Sequence, residues 1–266
     1  MPEKKGIIPA VQINQIKKIR RYIVDIKDIL KKCDHTLLRV DCTSDEIRKL
    51  CDQAIKYNCA SVCIPPCHVA GARRYVGDKL TICTVIGFPN GYMTTAAKAY
   101  EAADAVRNGA EEIDMVINVS MVKDGCWEDV ARDISAVREA TRGHILKVII
   151  ECCLLTEEEK IKLCHIVSDC GADFIKTSTG FSKGGATKED VALIRKAVGP
   201  AMGIKASGGV RNMDDALQMI AAGATRIGTS GGIGIIKGDT ATKCINCGRC
   251  KEACPTGNVT IVPNAY

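Results

Sequence analysis

The feature that most constrains the fold of this chain is a regular alternation of short apolar stretches with segments of helical periodicity. Eight such units follow one another within the 266 residues, separated by polar or glycine-containing loops. Eight strand–helix units favour a closed (β/α)8 barrel, the TIM barrel of the α/β class. A doubly wound sheet is the alternative, but it rarely has eight such regular units, and no GxGxxG follows an early strand. The predicted strands are 33–37, 60–64, 81–86, 112–117, 145–150, 172–176, 203–206 and 225–228.

Flanking segments divide the chain into three predicted parts. Residues 1–32 hold an amphipathic helix, which we expect to pack on the barrel; residues 33–238 form the barrel itself; residues 239–266 form a cysteine-rich C-terminal arm. Helix starts are predicted where a threonine hydroxyl can cap a first turn. These threonines are Thr43, Thr94, Thr156 and Thr187.

Composition narrows the classes of partner. The chain has no apolar run approaching the roughly 20 residues that a membrane span needs, so we expect a soluble, cytoplasmic protein with no membrane partner. The net charge of +6 arises within residues 1–32, where nine Lys and Arg stand against three acidic residues. A solvated basic helix face accounts for this charge, and no nucleic acid partner is expected.

Chemically loaded residues stand near the ends of the predicted strands, where TIM barrels carry their active sites. We expect six such residues at the strand ends: Asp34, Cys63, Asp114, Lys147, Lys176 and Lys205. Two lysines that converge would depress each other's pKa, as a neutral nucleophilic amine requires. A nearby acid can move protons. The set predicts imine chemistry on a carbonyl substrate.

Glycine-rich loops follow the last two strands. Gly208 and Gly209 precede Val210 and Arg211, and Gly228 is followed closely by Ser230. Loops at these two positions commonly bind phosphate in TIM barrels, because glycine lets backbone N–H groups approach an anion. We therefore expect a phosphorylated substrate.

Seven segments, in order along residues 12 to 237, resemble those of the deoxyribose-phosphate aldolase family. They are DHTLL at 34–38, VCIP at 62–65, GFPNG at 87–91, EIDMVIN at 112–118, KVIIE at 147–151, FIKTSTG at 174–180 and KASGGVR at 205–211. The resemblance implies a class I aldolase that reversibly cleaves 2-deoxy-D-ribose 5-phosphate to glyceraldehyde 3-phosphate and acetaldehyde, with no metal or cofactor in the reaction. We also expect a homo-oligomer, either a dimer or a tetramer.

The same resemblance implies roles for individual residues. Lys176 would form the Schiff base, Lys205 would lower its pKa, and Asp114 would relay protons through a water. The residues expected to contact the substrate or its phosphate are Asp34, Thr36, Cys63, Lys147, Gly180, Gly208, Gly209, Val210, Arg211, Gly228 and Ser230. The loop 181–185 varies among relatives, so its phosphate contacts stay open.

The C-terminal arm departs from the family pattern. It contains C-x2-C-x2-C-x3-C-P, the ligand run of bacterial ferredoxins, which predicts a [4Fe–4S] cluster. The four candidate ligands are Cys244, Cys247, Cys250 and Cys254. A zinc site is a less favoured alternative, because zinc usually takes two cysteine pairs set further apart. An unliganded arm is the other alternative, because the arm has only one half of a two-cluster ferredoxin.

A single ferredoxin run is one ligand short, because its fourth cysteine normally serves a second cluster. Cys254 could fold back, a barrel thiol could be recruited, or two subunits could exchange Cys254. Iron analysis of anaerobically purified protein distinguishes a cluster from the alternatives. The competing function is an iron–sulfur electron-transfer or redox-sensing protein built on an aldolase-like barrel.

Overall fold

A computed structural model describes residues 26–231, and within them eight parallel strands close into a barrel. Each strand pairs with the next along the chain, and β8 pairs with β1. The strands are β1 (Cys33–Thr36), β2 (Ser61–Ile64), β3 (Ile82–Ile86), β4 (Glu112–Val116), β5 (Ile145–Ile149), β6 (Phe174–Lys176), β7 (Gly203–Ser207) and β8 (Arg226–Thr229). The predicted TIM barrel is confirmed.

Helices follow the strands and surround the barrel. Several begin where a capping hydroxyl was predicted. The Thr43 hydroxyl accepts a hydrogen bond from the Glu46 N–H, and the Glu46 carboxylate accepts one from the Thr43 N–H, which completes a capping box. Within the described residues the α-helices are α1 (Ile26–Leu30), α2 (Ser44–Tyr57), α3 (Val69–Val76), α4 (Thr95–Arg107), α5 (Val119–Lys123), α6 (Trp127–Ala140), α7 (Glu157–Asp169), α8 (Lys188–Val198) and α9 (Met213–Ala221).

The alternation of side chains along each strand separates two environments. In β4, Ile113 and Met115 join the apolar core between the strands and the helices. Glu112 and Asp114 alternate with them along the strand and face the barrel interior, where their carboxylates contact side chains of other strands. The main apolar core therefore lies outside the barrel wall, and the interior is free to hold charged groups.

At the end of the barrel opposite the strand C-termini, two arginine side chains hydrogen-bond to backbone carbonyls of the loops that lead into strands. Arg73 donates from Nε to the Gly109 carbonyl at 3.1 Å, and Arg195 donates to the Gly223 carbonyl at 3.2 Å. Both glycines have positive φ, +102° and +116°, and a Cβ on either would lie within 3 Å of the arginine chain. Glycine is required at these helix ends for conformation and for space.

Several predictions fall outside the described residues. They include most of the N-terminal helix, the end of the barrel domain after residue 231 and the whole cysteine-rich arm with its four candidate ligands. Of the predicted N-terminal helix, only the short α1 is described. No helix among residues 26–231 is long and apolar enough to cross a membrane.

Candidate active site

Lys176 is the last residue of β6 and projects into the barrel interior. Its ammonium nitrogen lies 2.8 Å from Oδ2 of Asp114, which belongs to β4. Both side chains are buried. The predicted convergence of this lysine and this acid is present in the structure.

Asp114 is shared by two further lysines. Lys205 Nζ lies 2.6 Å from the same oxygen, Oδ2, and Lys147 Nζ lies 2.9 Å from the other oxygen, Oδ1. Burial raises the pKa of Asp114, but the three lysine charges together outweigh it and hold that pKa well below its usual range. Asp114 is therefore ionised in the resting site.

A second carboxylate, Asp34, lies beside Lys205. Lys205 Nζ is 2.5 Å from its Oδ2, while Oδ1 accepts hydrogen bonds from the Ser61 hydroxyl at 2.8 Å and from Arg226 at 2.6 Å. Burial raises the pKa of Asp34, yet the neighbouring cations, with Lys205 first, bring it below its usual range.

One expectation about Lys205 is corrected by these contacts. Convergence with Lys176 was expected to depress the pKa of each lysine. Burial does lower the pKa of Lys205, but the carboxylates of Asp114 and Asp34 outweigh both burial and the nearby cation of Lys147, so its pKa is raised well above the ordinary value. Lys205 is therefore a permanent cation at the site.

The carboxylates and cations form a closed ring, which we call the charge ring. Arg226 bonds Asp34 and also forms a fork with Glu112, at 3.1 and 3.2 Å, and Lys147 lies 2.6 Å from Glu112. Anions and cations alternate around it. The members in order are Asp114, Lys205, Asp34, Arg226, Glu112 and Lys147, which returns to Asp114. Lys176 is attached to the ring only through Asp114.

The ring lies deeper in the barrel than the sequence predicted. Asp114, Lys147 and Lys205 occupy the third positions of five-residue strands, and Asp34 the second position of β1, so none of them is at a strand end. Extended lysine chains make this possible, because Nζ stands several bonds from its backbone. Of these residues, only Lys205 also lines the cavity above.

A cavity of about 630 Å³ opens at the C-terminal ends of the strands. Lys176 and Lys205 form part of its floor. Asp34, Cys63 and Lys147 lie below it, fully buried, and do not line it. The other predicted binding residues that line this cavity are Thr36, Gly180, Gly208, Gly209, Val210, Arg211, Gly228 and Ser230.

The glycines at the cavity have separate structural reasons. Gly208 and Gly209 both have positive φ, +79° and +80°, which turns their loop over the cavity. Gly228 has an ordinary φ, but a Cβ there would lie 2.9 Å from Cε of Lys205. Cβ of Ser207 would lie closer still, at 2.8 Å, so Gly228 is required because β7 leaves no room for a side chain.

Sequence reasoning missed three residues of the site. Arg226 and Glu112 complete the charge ring, and Cys83 donates to Oδ1 of Asp114 at 3.2 Å while accepting from Lys147 at 3.3 Å. Glu112 and Arg226 each stand at the first position of a predicted or observed strand, at inward-facing register. An ionisable residue at that register was the available signal.

Metal binding at this site is opposed by its charges. Ligand atoms of Cys63, Cys83 and Asp114 lie within 4.8 Å of one another, close enough to share an ion. Asp114 is already in contact with Lys147, Lys176 and Lys205, however. A divalent cation would have to displace ammonium groups from a fully buried position, so the geometry favours organic acid–base chemistry.

At the C-terminal ends of the strands of this TIM barrel, a buried amine lies beside a carboxylate that permanent cations hold in place. This arrangement defines the class of Schiff-base aldolases. Comparison with known proteins agrees. A family model described as DeoC/LacD family aldolase matches residues 29–254. The chain belongs to this aldolase family.

Named relatives are close over nearly their whole length. The chain is 54% identical over 220 residues to a deoxyribose-phosphate aldolase of Streptococcus pyogenes, covering 83% of this chain and 98% of that one. It is 56% identical over 216 residues to one of a Geobacillus species, covering 80% and 97%. Among solved structures, the tetrameric deoxyribose phosphate aldolase from Aeropyrum pernix superposes with a TM-score of 0.76 at 30% identity, covering 86% of this chain and 97% of that one.

The depressed pKa of Asp34 predicts how stability depends on pH. A carboxyl whose pKa is lower in the folded state stabilises the fold above its unfolded pKa of about 3.9, and this contribution is lost as pH falls. Asp34→Asn should therefore lower the free energy of unfolding at pH 7 by about 3–5 kcal/mol, because Lys205 and Arg226 lose a buried partner.

The difference between wild type and Asp34→Asn should narrow as pH falls below about 4. Urea unfolding at pH 7 and at successively lower pH measures it. Asp45→Asn is the matched control, because Asp45 pairs with Arg48 at the surface and should change stability little at either pH. A constant difference for Asp34→Asn across this range would contradict the assignment.

Proposed function

We propose that this chain cleaves 2-deoxy-D-ribose 5-phosphate to D-glyceraldehyde 3-phosphate and acetaldehyde, reversibly, through a Schiff base on Lys176. The observation that carries this proposal is the contact of Lys176 with Asp114 at the floor of the cavity. It provides a nucleophile and a proton carrier within hydrogen-bond reach of each other. The similarity to named deoxyribose-phosphate aldolases supports the choice of substrate.

The charges at the site explain how the amine of Lys176 can act as a nucleophile. Attack on a carbonyl requires a neutral amine. The charge ring contains three carboxylates and three cations, so loss of the Lys176 proton leaves every carboxylate between two cations. Lys205 shares Oδ2 of Asp114 with Lys176, so this oxygen keeps a cationic partner while the Lys176 amine reacts.

The reaction then follows from proton movements at one place. The amine adds to C1 of the open-chain aldehyde, and the carbinolamine loses water to give a protonated imine. The C3 hydroxyl gives up its proton as the C2–C3 bond breaks, which releases glyceraldehyde 3-phosphate and leaves an enamine. Protonation at C2 and hydrolysis release acetaldehyde and the free amine. Asp114, acting through a water, is the proposed carrier of these protons.

The phosphate of the substrate is assigned to the glycine-rich rim of the cavity. Gly208, Gly209, Ser230 and Arg211 line the same cavity as Lys176. Backbone N–H groups in a left-handed glycine turn are suited to an anion, and the Arg211 side chain adds a cation. This rim would fix the substrate at its far end while C1 reaches the amine.

Reductive trapping tests the proposed nucleophile. Borohydride added with acetaldehyde or deoxyribose 5-phosphate should attach the substrate fragment to Lys176, because only an imine is reduced to a stable amine. Peptide mass spectrometry identifies the residue. Lys176→Met should abolish trapping, and Lys183→Met, an exposed lysine on the following loop, should leave it unchanged. An adduct on a different lysine would overturn the assignment.

Substitution of Ser230 tests the phosphate assignment. Ser230→Asp should raise KM for deoxyribose 5-phosphate by about tenfold or more, because like charges brought together disfavour binding by several kcal/mol. Turnover of unphosphorylated deoxyribose should change little, because the rim is remote from the bond that breaks. Ser230→Asn is the control, because asparagine has the shape of aspartate without its charge. Equal losses on both substrates would show that the rim shapes the barrel and does not bind phosphate.

A further inference from the structure

Arg226 lies in the barrel interior away from the cavity, and no step of the proposed reaction uses it. It is the first residue of β8 and does not line the cavity that holds Lys176. Its side chain is only 13% exposed, and its guanidinium carbon stands 5.3 Å from the centre of the Phe174 ring. A buried arginine on an aromatic face is held in place, so its contacts define a fixed geometry.

The two carboxylates on Arg226 lead by two routes to the two oxygens of Asp114, and a longer contact of 3.7 Å between Lys147 and Asp34 crosses between these routes. Through Asp34, Arg226 is connected to Lys205, which contacts Oδ2. Through Glu112, it is connected to Lys147, which contacts Oδ1. Arg226 joins both routes at hydrogen-bond distances and so closes the charge ring.

Lys205 and Lys147 each lie between two carboxylates that compete for the ammonium group. Lys205 lies 2.5 Å from Asp34 and 2.6 Å from Asp114, and Lys147 lies 2.6 Å from Glu112 and 2.9 Å from Asp114. Arg226 balances the negative charge of Asp34 and Glu112, the two carboxylates that compete with Asp114 for the lysines. Without it, Asp34 and Glu112 would each draw their lysine more strongly, away from Asp114.

We propose that Arg226 is a positioning residue for the aldolase reaction: by holding Asp34 and Glu112 in one fork, it keeps Lys205 and Lys147 on Asp114 and so fixes that carboxylate against Lys176. The proposal rests on the proposed function, because it assigns Arg226 a role in bringing Asp114 and Lys176 together. The planar guanidinium bonds both carboxylates at once and holds Glu112 through two nitrogens, a bidentate geometry that an ammonium group does not offer.

Loss of Arg226 should also change how activity depends on pH. The groups that face the Lys176 amine are Asp114 from β4, Lys205 from β7 and Cys63 from β2. Removing a cation from the ring makes these surroundings more negative, which favours the protonated amine. The acidic limb of the pH profile of kcat/KM should therefore move to higher pH.

The experiment compares four purified variants with wild type. Arg226→Met removes the fork and the charge, Arg226→Lys keeps the charge without the fork, and Arg226→Met with Glu112→Gln removes the fork while restoring the charge balance. Lys98→Met is the control, because Lys98 forms a fully buried pair with Asp133 outside the ring. The measurements are kcat and KM for deoxyribose 5-phosphate and the pH profile of kcat/KM, with folded protein confirmed by circular dichroism.

The expected loss for Arg226→Met is about 100-fold in kcat with little change in KM, the size that a displacement of about 1 Å in a catalytic group produces. Its acidic limb should move to higher pH. In Arg226→Lys kcat should fall while the limb stays in place, and in the double variant the limb should return while kcat stays low. Lys98→Met should lose stability but keep the wild-type profile.

Unchanged kcat in folded Arg226→Lys would overturn the proposal, as would an equal shift of the profile in Lys98→Met. If Arg226→Met does not fold, the charge-balanced double variant and Arg226→Lys decide the matter. Trapping on Lys176 in the wild type is recorded in parallel. Failure of that trapping would count against the proposed function, whereas normal trapping with unaffected Arg226 variants would count against the positioning role alone.

Discussion

The cost of burying charge is the constraint on which the interior of this barrel depends. An isolated ion pair in a protein interior gives up several kcal/mol of hydration per ion and recovers it only when geometry is favourable. Here six charged side chains solve the problem together, because each lies between two partners of opposite sign. Lys176 stands outside that closed arrangement, in contact with it at a single oxygen. The proposed nucleophile is therefore the group whose charge the closed arrangement does not need.

Small residues in the barrel wall make room for this arrangement. A Cβ at Gly203 would come within 2.3 Å of the Phe174 ring, and one at Gly228 within 2.9 Å of the Lys205 side chain. Phe174 in turn packs on Arg226. Two glycines that could be taken for loop or phosphate-binding positions thus serve the placement of charges. The proposed phosphate rim and the charge ring below it are therefore built from residues of the same last strands and the loops that follow them.

Much of the fold could be predicted from the sequence, because its elements depend on residues that are close together in the chain. Eight apolar stretches, threonine caps such as Thr43, and the lysine that ends β6 are each legible within a few residues. The charge ring is not local. Arg226 and Asp34 are 192 residues apart and meet only when β8 closes on β1. For the same reason the raised pKa of Lys205 could not be anticipated, since it depends on Asp114 together with Asp34, and sequence reasoning had assigned Asp34 to the substrate.

The most direct test of this account measures stability, independent of activity. Lys147, Lys176 and Lys205 are each changed to methionine, which has a similar length and no charge, and the free energy of unfolding is measured in urea at pH 7. Lys147→Met and Lys205→Met should each lose about 3–5 kcal/mol, because two buried ring carboxylates each lose one of their cationic partners. Lys176→Met should stay within about 1 kcal/mol of wild type, because the neutral ring remains complete. A loss for Lys176→Met as large as for the other two would contradict the claim that the reactive lysine stands outside the charge ring.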